Sequence, residues 1–246
     1  MNLERRSFGP IAGPPSKRVT VLDGERFVMR ATVSAEDAER TARQRIQEGV
    51  LRPADSHRAE IEAARLVWIP LWRVEVEVDG LHLGLRALRD TSGAVRGVLP
   101  TGGPVHDAEV GLVLGRRLLP IDPSGRVRVE PHDLVPWVHG ASSEGEWIDA
   151  DVARDEAEHE VARALRKRAV PSKALYSNLE VRVRSAALVH LPCWLRRYRY
   201  EGDASGSRVE ECHVAIHAGT GEVVSERHPP AWRAVAGRLR GLLRRG

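Results

Sequence analysis

The chain of 246 residues is short of several things at once. It has two cysteines, Cys193 and Cys212, so neither a zinc ribbon nor a disulfide framework can be assembled from them. Lys17, Lys167 and Lys173 are the only lysines among 38 basic residues; the rest are arginine. Aromatic residues make up 4% of the chain, and six of them are tryptophan. No run approaches the roughly 18 apolar residues that a membrane-spanning helix needs, and the first ten residues lack the apolar core of a secretory signal. A cytoplasmic protein with reduced thiols is the expectation.

What is present is enough for a folded core: 42% hydrophobic and 29% charged residues. The net charge of +4 is concentrated at one end. Residues 229–246 hold Arg233, Arg238, Arg240, Arg244 and Arg245 and no acid, which leaves −1 for everything before them.

Two stretches are versions of each other. Leu66-Val-Trp-Ile-Pro-Leu-Trp-Arg-Val-Glu-Val-Glu-Val78 and Leu188-Val-His-Leu-Pro-Cys-Trp-Leu-Arg-Arg-Tyr-Arg-Tyr200 each run apolar residues, a proline, one residue and a tryptophan into strict alternation. Pro70 and Trp72 recur as Pro192 and Trp194, at an offset of 122 residues. Period two places Trp68, Pro70, Trp72, Val74, Val76 and Val78 on one strand face. A proline has no N–H to give to a ladder, so Pro70 is expected at a sheet edge or bulge.

Elements around these strands recur as well. Ser34 is an N-cap followed by Glu36 and Asp37, and Ala35, Ala38, Ala42 and Ile46 predict a helix over about 34–48. Ala157, Val161, Ala164 and Leu165 predict its counterpart over 155–168. Leu81–Leu88 and Ala94–Leu99 read as strands set off by Asp79-Gly80 and Asp90-Thr-Ser-Gly93, and Arg208–His217 and Glu222–Glu226 flank the turn Ala218-Gly-Thr-Gly221. Between the halves, residues 100–145 hold six prolines and seven glycines. Val110–Leu119 within them fits a buried strand or a short helix, and Arg126–Glu130 alternates like a strand.

A Ser-x-Glu-Asp-Ala helix start and the ending His217-Ala-Gly-Thr-Gly-Glu-Val-Val224 resemble the PepSY-type module, a helix packed on a small antiparallel sheet. His217 stands where those modules usually carry Asp. The Leu-Pro-Cys-Trp-Leu-Arg-Arg-Tyr-Arg-Tyr stretch leading into Thr-Gly-Glu-Val is similar to the C-terminal part of bacterial proteins that pair a zinc ribbon with a membrane anchor. Both resemblances imply binding or regulatory roles, and neither supplies catalytic residues.

The fold class that follows is α+β: two tandem repeats of a helix on a small antiparallel sheet, with one shared continuous sheet as a variant, and a C-terminal amphipathic helix. The expected domains are a lead-in over 1–17, repeats over 18–99 and 146–228, a bridge over 100–145 and a basic tail over 229–246.

Chemistry is harder to find than architecture. His213 and His217 share a strand face about 13 Å apart, too far for two ligands of one ion. Cys193, Cys212 and His190 read as core residues. Gly-x-Ser-x-Gly and His-Glu-x-x-His are both absent, and Thr101-Gly-Gly-Pro104 lacks the lysine of a phosphate loop. No catalytic residue, metal or cofactor is therefore assigned. Arg196-Arg-Tyr-Arg-Tyr200 interleaves arginine with aromatics as single-strand binders do, but equally suits a half-buried strand with a solvated outer face.

The expected function is non-catalytic binding or scaffolding through protein–protein contacts, with Trp72, Trp194, Tyr198 and Tyr200 as the sheet's candidate contacts. In the tail, Trp232, Val235, Leu239 and Leu242 form one helical stripe of about 21 Å, too short to span a bilayer. Trp232, Leu239 and Arg240 are its candidate contacts to a partner, to the membrane surface or to the protein's own sheet. An enzyme with a dispersed site, and a nucleic-acid-associated protein using the Arg-rich strand and tail, are the alternatives. No small-molecule substrate can be named.

Overall fold

The computed structural model describes residues 25–47, 60–89, 91–115, 127–137, 144–170, 174–200 and 210–228. Among them are nine strands and two α-helices. In chain order these are β1 (Arg26–Met29), α1 (Ala35–Gln47), β2 (Glu60–Ile61), β3 (Arg65–Arg89), β4 (Val95–Leu114), β5 (Leu134–Pro136), β6 (Glu146–Trp147), α2 (Arg154–Ala169), β7 (Ala174–Tyr200), β8 (Glu210–His217) and β9 (Val223–Arg227).

All nine strands belong to one mixed sheet with the central order β4-β3-β7-β1-β5. The expected α+β class of two small modules is therefore corrected. Among the described residues the fold is mostly sheet, 58% strand against 21% helix, and its two long strands pair with each other instead of founding separate units. The lead-in over 1–17, the predicted strand at 18–22 and the tail over 229–246 lie outside the described residues. Strand β4 runs on through residues 100–114 of the stretch read as a bridge.

The repeat is expressed inside this one sheet. β3 and β7 pair antiparallel from Arg65↔Leu195 to Gly84↔Ala174. With a 122-residue offset, Trp72↔Leu188 is the counterpart of Leu66↔Trp194, and Ile69↔Leu191 maps onto itself. An approximate two-fold axis thus passes between Ile69 and Leu191. The short parallel strands obey it too: Phe27 of β1 pairs Val189, and Glu146 of β6 pairs Val67.

The axis explains the prolines. On its far side from β7, β3 is paired by β6 up to Trp68 and by β4 from Leu71 onward. Pro70 falls in the gap. Likewise β7 is paired by β1 up to His190 and by β8 from Cys193 onward, with Pro192 between them. Pro70 is thus neither at an edge nor at a bulge. It sits in the sheet's interior where one neighbour hands over to the next, and there a missing N–H forfeits little.

Each helix is fastened by the tryptophan two residues beyond that proline. Trp72 Nε1 donates to Val152 O at 2.8 Å, and Trp194 Nε1 donates to Val33 O at 2.9 Å. Val33 and Val152 each stand two residues before their helix. The buried helix faces correspond as well: Ala38, Ala42 and Ile46 in α1, Ala157, Val161 and Leu165 in α2. Small residues let the helices lie close to the strands. A Cβ placed on Gly111 of β4 would come within 2.5 Å of the Val161 methyls. The opposite sheet face is covered by Val127, Val129 and Leu134 packing on Val67, Ile69, Leu71, Val189 and Leu191. Val127 and Val129 keep the alternating burial expected of a strand, without pairing as one.

The helix starts differ. Ser34 Oγ accepts from Asp37 N at 3.1 Å and donates to Asp37 Oδ2 at 2.8 Å, and that second bond is the main reason the Asp37 carboxyl is held below its usual range. At α2 the equivalent position is Ala153, with extended backbone and no side-chain cap.

Two outcomes are expected. Ala153→Ser should stabilise the protein by about 0.5–1 kcal/mol in urea unfolding, since the backbone already has N-cap geometry. Trp72→Phe should cost about 2 kcal/mol and Trp194→Phe about 1 kcal/mol, each by orphaning a valine carbonyl. The double variant should be additive to within about 0.5 kcal/mol, because the two tryptophans lie about 20 Å apart along the β3–β7 ladder and fasten different helices. Unchanged unfolding midpoints in either single variant would contradict the anchoring role.

Candidate interaction surface

The two helices are too short for the strands they cover. At 1.5 Å per residue α1 and α2 are about 20 and 24 Å long, whereas 25 residues of β3 at roughly 3.3 Å extend about 83 Å. Packing therefore ends partway along. Val74, Val76 and Val78 are buried under α2 with Val113, Leu179 and Leu188. Beyond Gly80, β3, β4 and the start of β7 project as a three-stranded arm that narrows to two strands past Gly84.

Gly80 marks the root of the arm. Its φ is +153°, and a Cβ there would lie 2.1 Å from Asn178 O, so only glycine fits. Asp79-Gly80, read as a strand end, is instead a point through which the ladder passes unbroken.

Every large hydrophobic residue found exposed among the described residues lies on β3, β4 or the β7 segment beside them. On the face away from the helices these are Leu81, Leu83, Leu85, Val98, Val110 and Tyr176, between 40% and 56% exposed. Register places them together: Leu83 is opposite Tyr176 on one side and Gly102 on the other, while Leu81 and Leu85 face Pro104 and Pro100. The helix-side face adds Leu88 and Leu99. In a monomer such contiguous apolar area marks a contact site.

Ion pairs line the arm's root on the same face. Arg184 bonds Glu77 at 2.7 Å, Arg182 bonds Glu180 at 2.8 Å, and His106 Nδ1 lies 2.5 Å from Asp79 Oδ1. The Asp79 carboxylate raises the His106 pKa above its ordinary value. Ligand atoms of Glu77, Asp79 and His106 lie within 4.8 Å of one another. Arg184 already neutralises Glu77, however, and a cation would have to displace it, so the group is a charge network.

The residues singled out from sequence are elsewhere. Trp72 is buried under α2, Trp194 is half-buried under α1, and Tyr198 is buried beside α1 with its hydroxyl 2.6 Å from His228 Nδ1. These three pack the interior. The Tyr200 side chain, Trp232, Leu239 and Arg240 lie outside the described residues. The face of Arg197 and Arg199 is not solvated: both side chains are about nine-tenths buried and reach Glu211. Arg196, on the helix side, meets Glu39.

The Cys/His group is dispersed. Cys193 belongs to the core opposite the helices, where burial pushes its thiol pKa up; Cys212 packs against α1 on the other face. His217 Nδ1 accepts from Gly219 N at 2.8 Å and Thr220 N at 3.2 Å, so it closes the turn as a carboxylate would. His190 lies edge-on to Trp147, which stacks on Trp68 at 4.8 Å between the two helices. Comparison with protein-family models, curated proteins and solved structures returned no match. The PepSY-type resemblance stands on its quoted motifs alone.

Burial lowers the pKa of both His190 and His213 from 6.5 to about 4. Between about pH 4 and 6.5 each is neutral in the folded protein and takes up a proton on unfolding. Their stabilisation is complete above about pH 6.5 and is lost as pH falls through about 4, at about 1.4 kcal/mol per pH unit for each histidine. Urea midpoints of the His190→Gln/His213→Gln variant should fall less steeply than the parent's between pH 6.5 and 5. Equal slopes would contradict the buried neutral state.

Proposed function

We propose that the chain is a non-catalytic binding or scaffolding protein of the cytoplasm that acts through protein–protein contacts, with the arm as its contact element. The observation that carries this is the gathering of Leu81, Leu83, Leu85, Val98 and Tyr176 on a sheet face that no described residue covers.

Two features favour a protein surface as the occupant. The ionic groups at the root of the arm are paired with one another (Arg184 with Glu77, Arg182 with Glu180, Arg73 with Glu75), so they offer little to draw this face onto an anionic bilayer. Edge strand β4 carries Pro100 and Pro104, which cannot donate to an added strand, so docking by the face is favoured over extension of the sheet.

The test is a photo-reactive amino acid placed at Leu83 or Leu99, with Glu36 of α1 as control, irradiated in native host cells. Protein adducts from the arm positions in clear excess over the control are expected. An absence of protein adducts from both arm positions would end the reading.

A further inference from the structure

We infer that the arm carries a second contact, separate from its apolar face: the open edge of β7 pairs antiparallel with the same edge of another copy of this chain, about a two-fold axis at Val181.

Pro100 and Pro104 close only the β4 edge of the arm. The other edge belongs to β7. From Ala174 to Leu195 one side of β7 is taken by β3, but on the other side β1 begins at Leu188 and β8 at Cys193. Among the described residues nothing pairs that side of Ala174–Ala187, which leaves about 46 Å of ladder open. The stretch holds no proline or lysine, the residues that commonly blunt an edge. Its register with β3 is regular from Tyr176 to Val183 and slips at Arg184. The spaced N–H and C=O groups of such an edge select another extended strand.

The side chains select a second copy and its register. Directly opposite residues of an antiparallel pair share a face, so a two-fold axis perpendicular to the sheet must pass a residue that faces itself. The open stretch is centred between Glu180 and Val181. An axis at Glu180, or at Arg182, would set like charges together. At Val181 it sets Glu180 opposite Arg182 of the other copy, twice, and Leu179 opposite Val183 of the other copy. Glu180 and Arg182 already bond within one strand at 2.8 Å, both more than half exposed, so across the axis the four charges alternate in sign around a ring. On the β3 side Glu180 stands opposite Asp79, a like charge bonded to His106, and Arg182 stands opposite Glu77, which bonds Arg184. The second copy thus brings an arginine to Glu180 where β3 brings a carboxylate.

Packing follows the same register. The core under α2 reaches Leu179 and Val181 and leaves Val183 38% exposed. Leu179 of the other copy would cover Val183, which joins the two cores across the axis. β1 starts seven residues from Val181, about 23 Å away, and leaves the central pairs clear. A self-complementary edge of this kind is what a closed two-fold contact requires.

The test uses the full chain in analytical ultracentrifugation over a concentration series. The parent should dimerise. Glu180→Arg and Arg182→Glu should each dimerise about tenfold more weakly, since each sets like charges opposite one another twice. An equimolar mixture of the two variants should recover to within about threefold of the parent, because every cross-copy pair is again opposite in sign while the bond within each strand stays broken. Register is read by oxidation with copper–phenanthroline. Val181→Cys should give a disulfide-linked dimer, because facing residues lie about 4.5–5.5 Å apart between Cα atoms. Leu179→Cys, whose copies would be about 13 Å apart along the strands, should give none. A monomer at every concentration, a dimer indifferent to both charge variants, a mixture that stays weak, or a link through Leu179→Cys in place of Val181→Cys would each overturn the inference. Adducts from Leu83 report on the face and not on this edge, so the binding role stands or falls separately.

Discussion

The antiparallel ladder between β3 and β7 is the constraint on which the rest of this structure depends. It joins the two copies of the Pro-x-Trp stretch in one register, from Arg65↔Leu195 to Gly84↔Ala174. That register decides which faces meet the helices, where the prolines can be tolerated and where the arm begins. A shift of one residue would turn Trp72 and the valines after it to the opposite face, away from α2. The alternation of large apolar side chains therefore specifies the pairing strongly in the body, where both faces are covered.

Symmetry is shared by the anchors and lost elsewhere. Tryptophan, preceding valine carbonyl and helix face recur in both halves with the same geometry. The other ends differ. After Trp194 the strand closes into the β8–β9 hairpin, and Val214 and Ile216 pack with α1. After Trp72 the strand continues as β3 and β4 into the arm. One copy thus closes a core, while the other reaches outward.

Much of the local structure was legible in the sequence. Ser34 with Asp37 marked the start of α1, the spacing of Ala157, Val161 and Leu165 marked α2, and the Pro-x-Trp repeat marked the two anchoring strands. The fold class was not legible. Period-two alternation is the same whether a strand pairs within its own module or with its distant copy, so separate small sheets and one large sheet predict one pattern. Asp79-Gly80 misled for a related reason: Asp-Gly usually turns a chain, but here pairing on both sides holds Gly80 in an extended strand. Trp72 and Tyr198 drew notice as large aromatics and are interior. The contact surface could have been found by comparing lengths, since two helices of 13 and 16 residues cannot shelter strands of 25 and 27.

The wide separation of β3 and β7 along the chain also governs the order of assembly. On a ribosome adding about 5–20 residues per second, β3 and β4 emerge several seconds before β7 can dock. During that interval a long apolar hairpin has one side unsatisfied, the state most prone to pairing with another nascent chain. Pro100, Pro104 and the glycines beside them, placed on β4, interrupt the waiting edge, and so act as gatekeepers during synthesis as well as in the finished sheet.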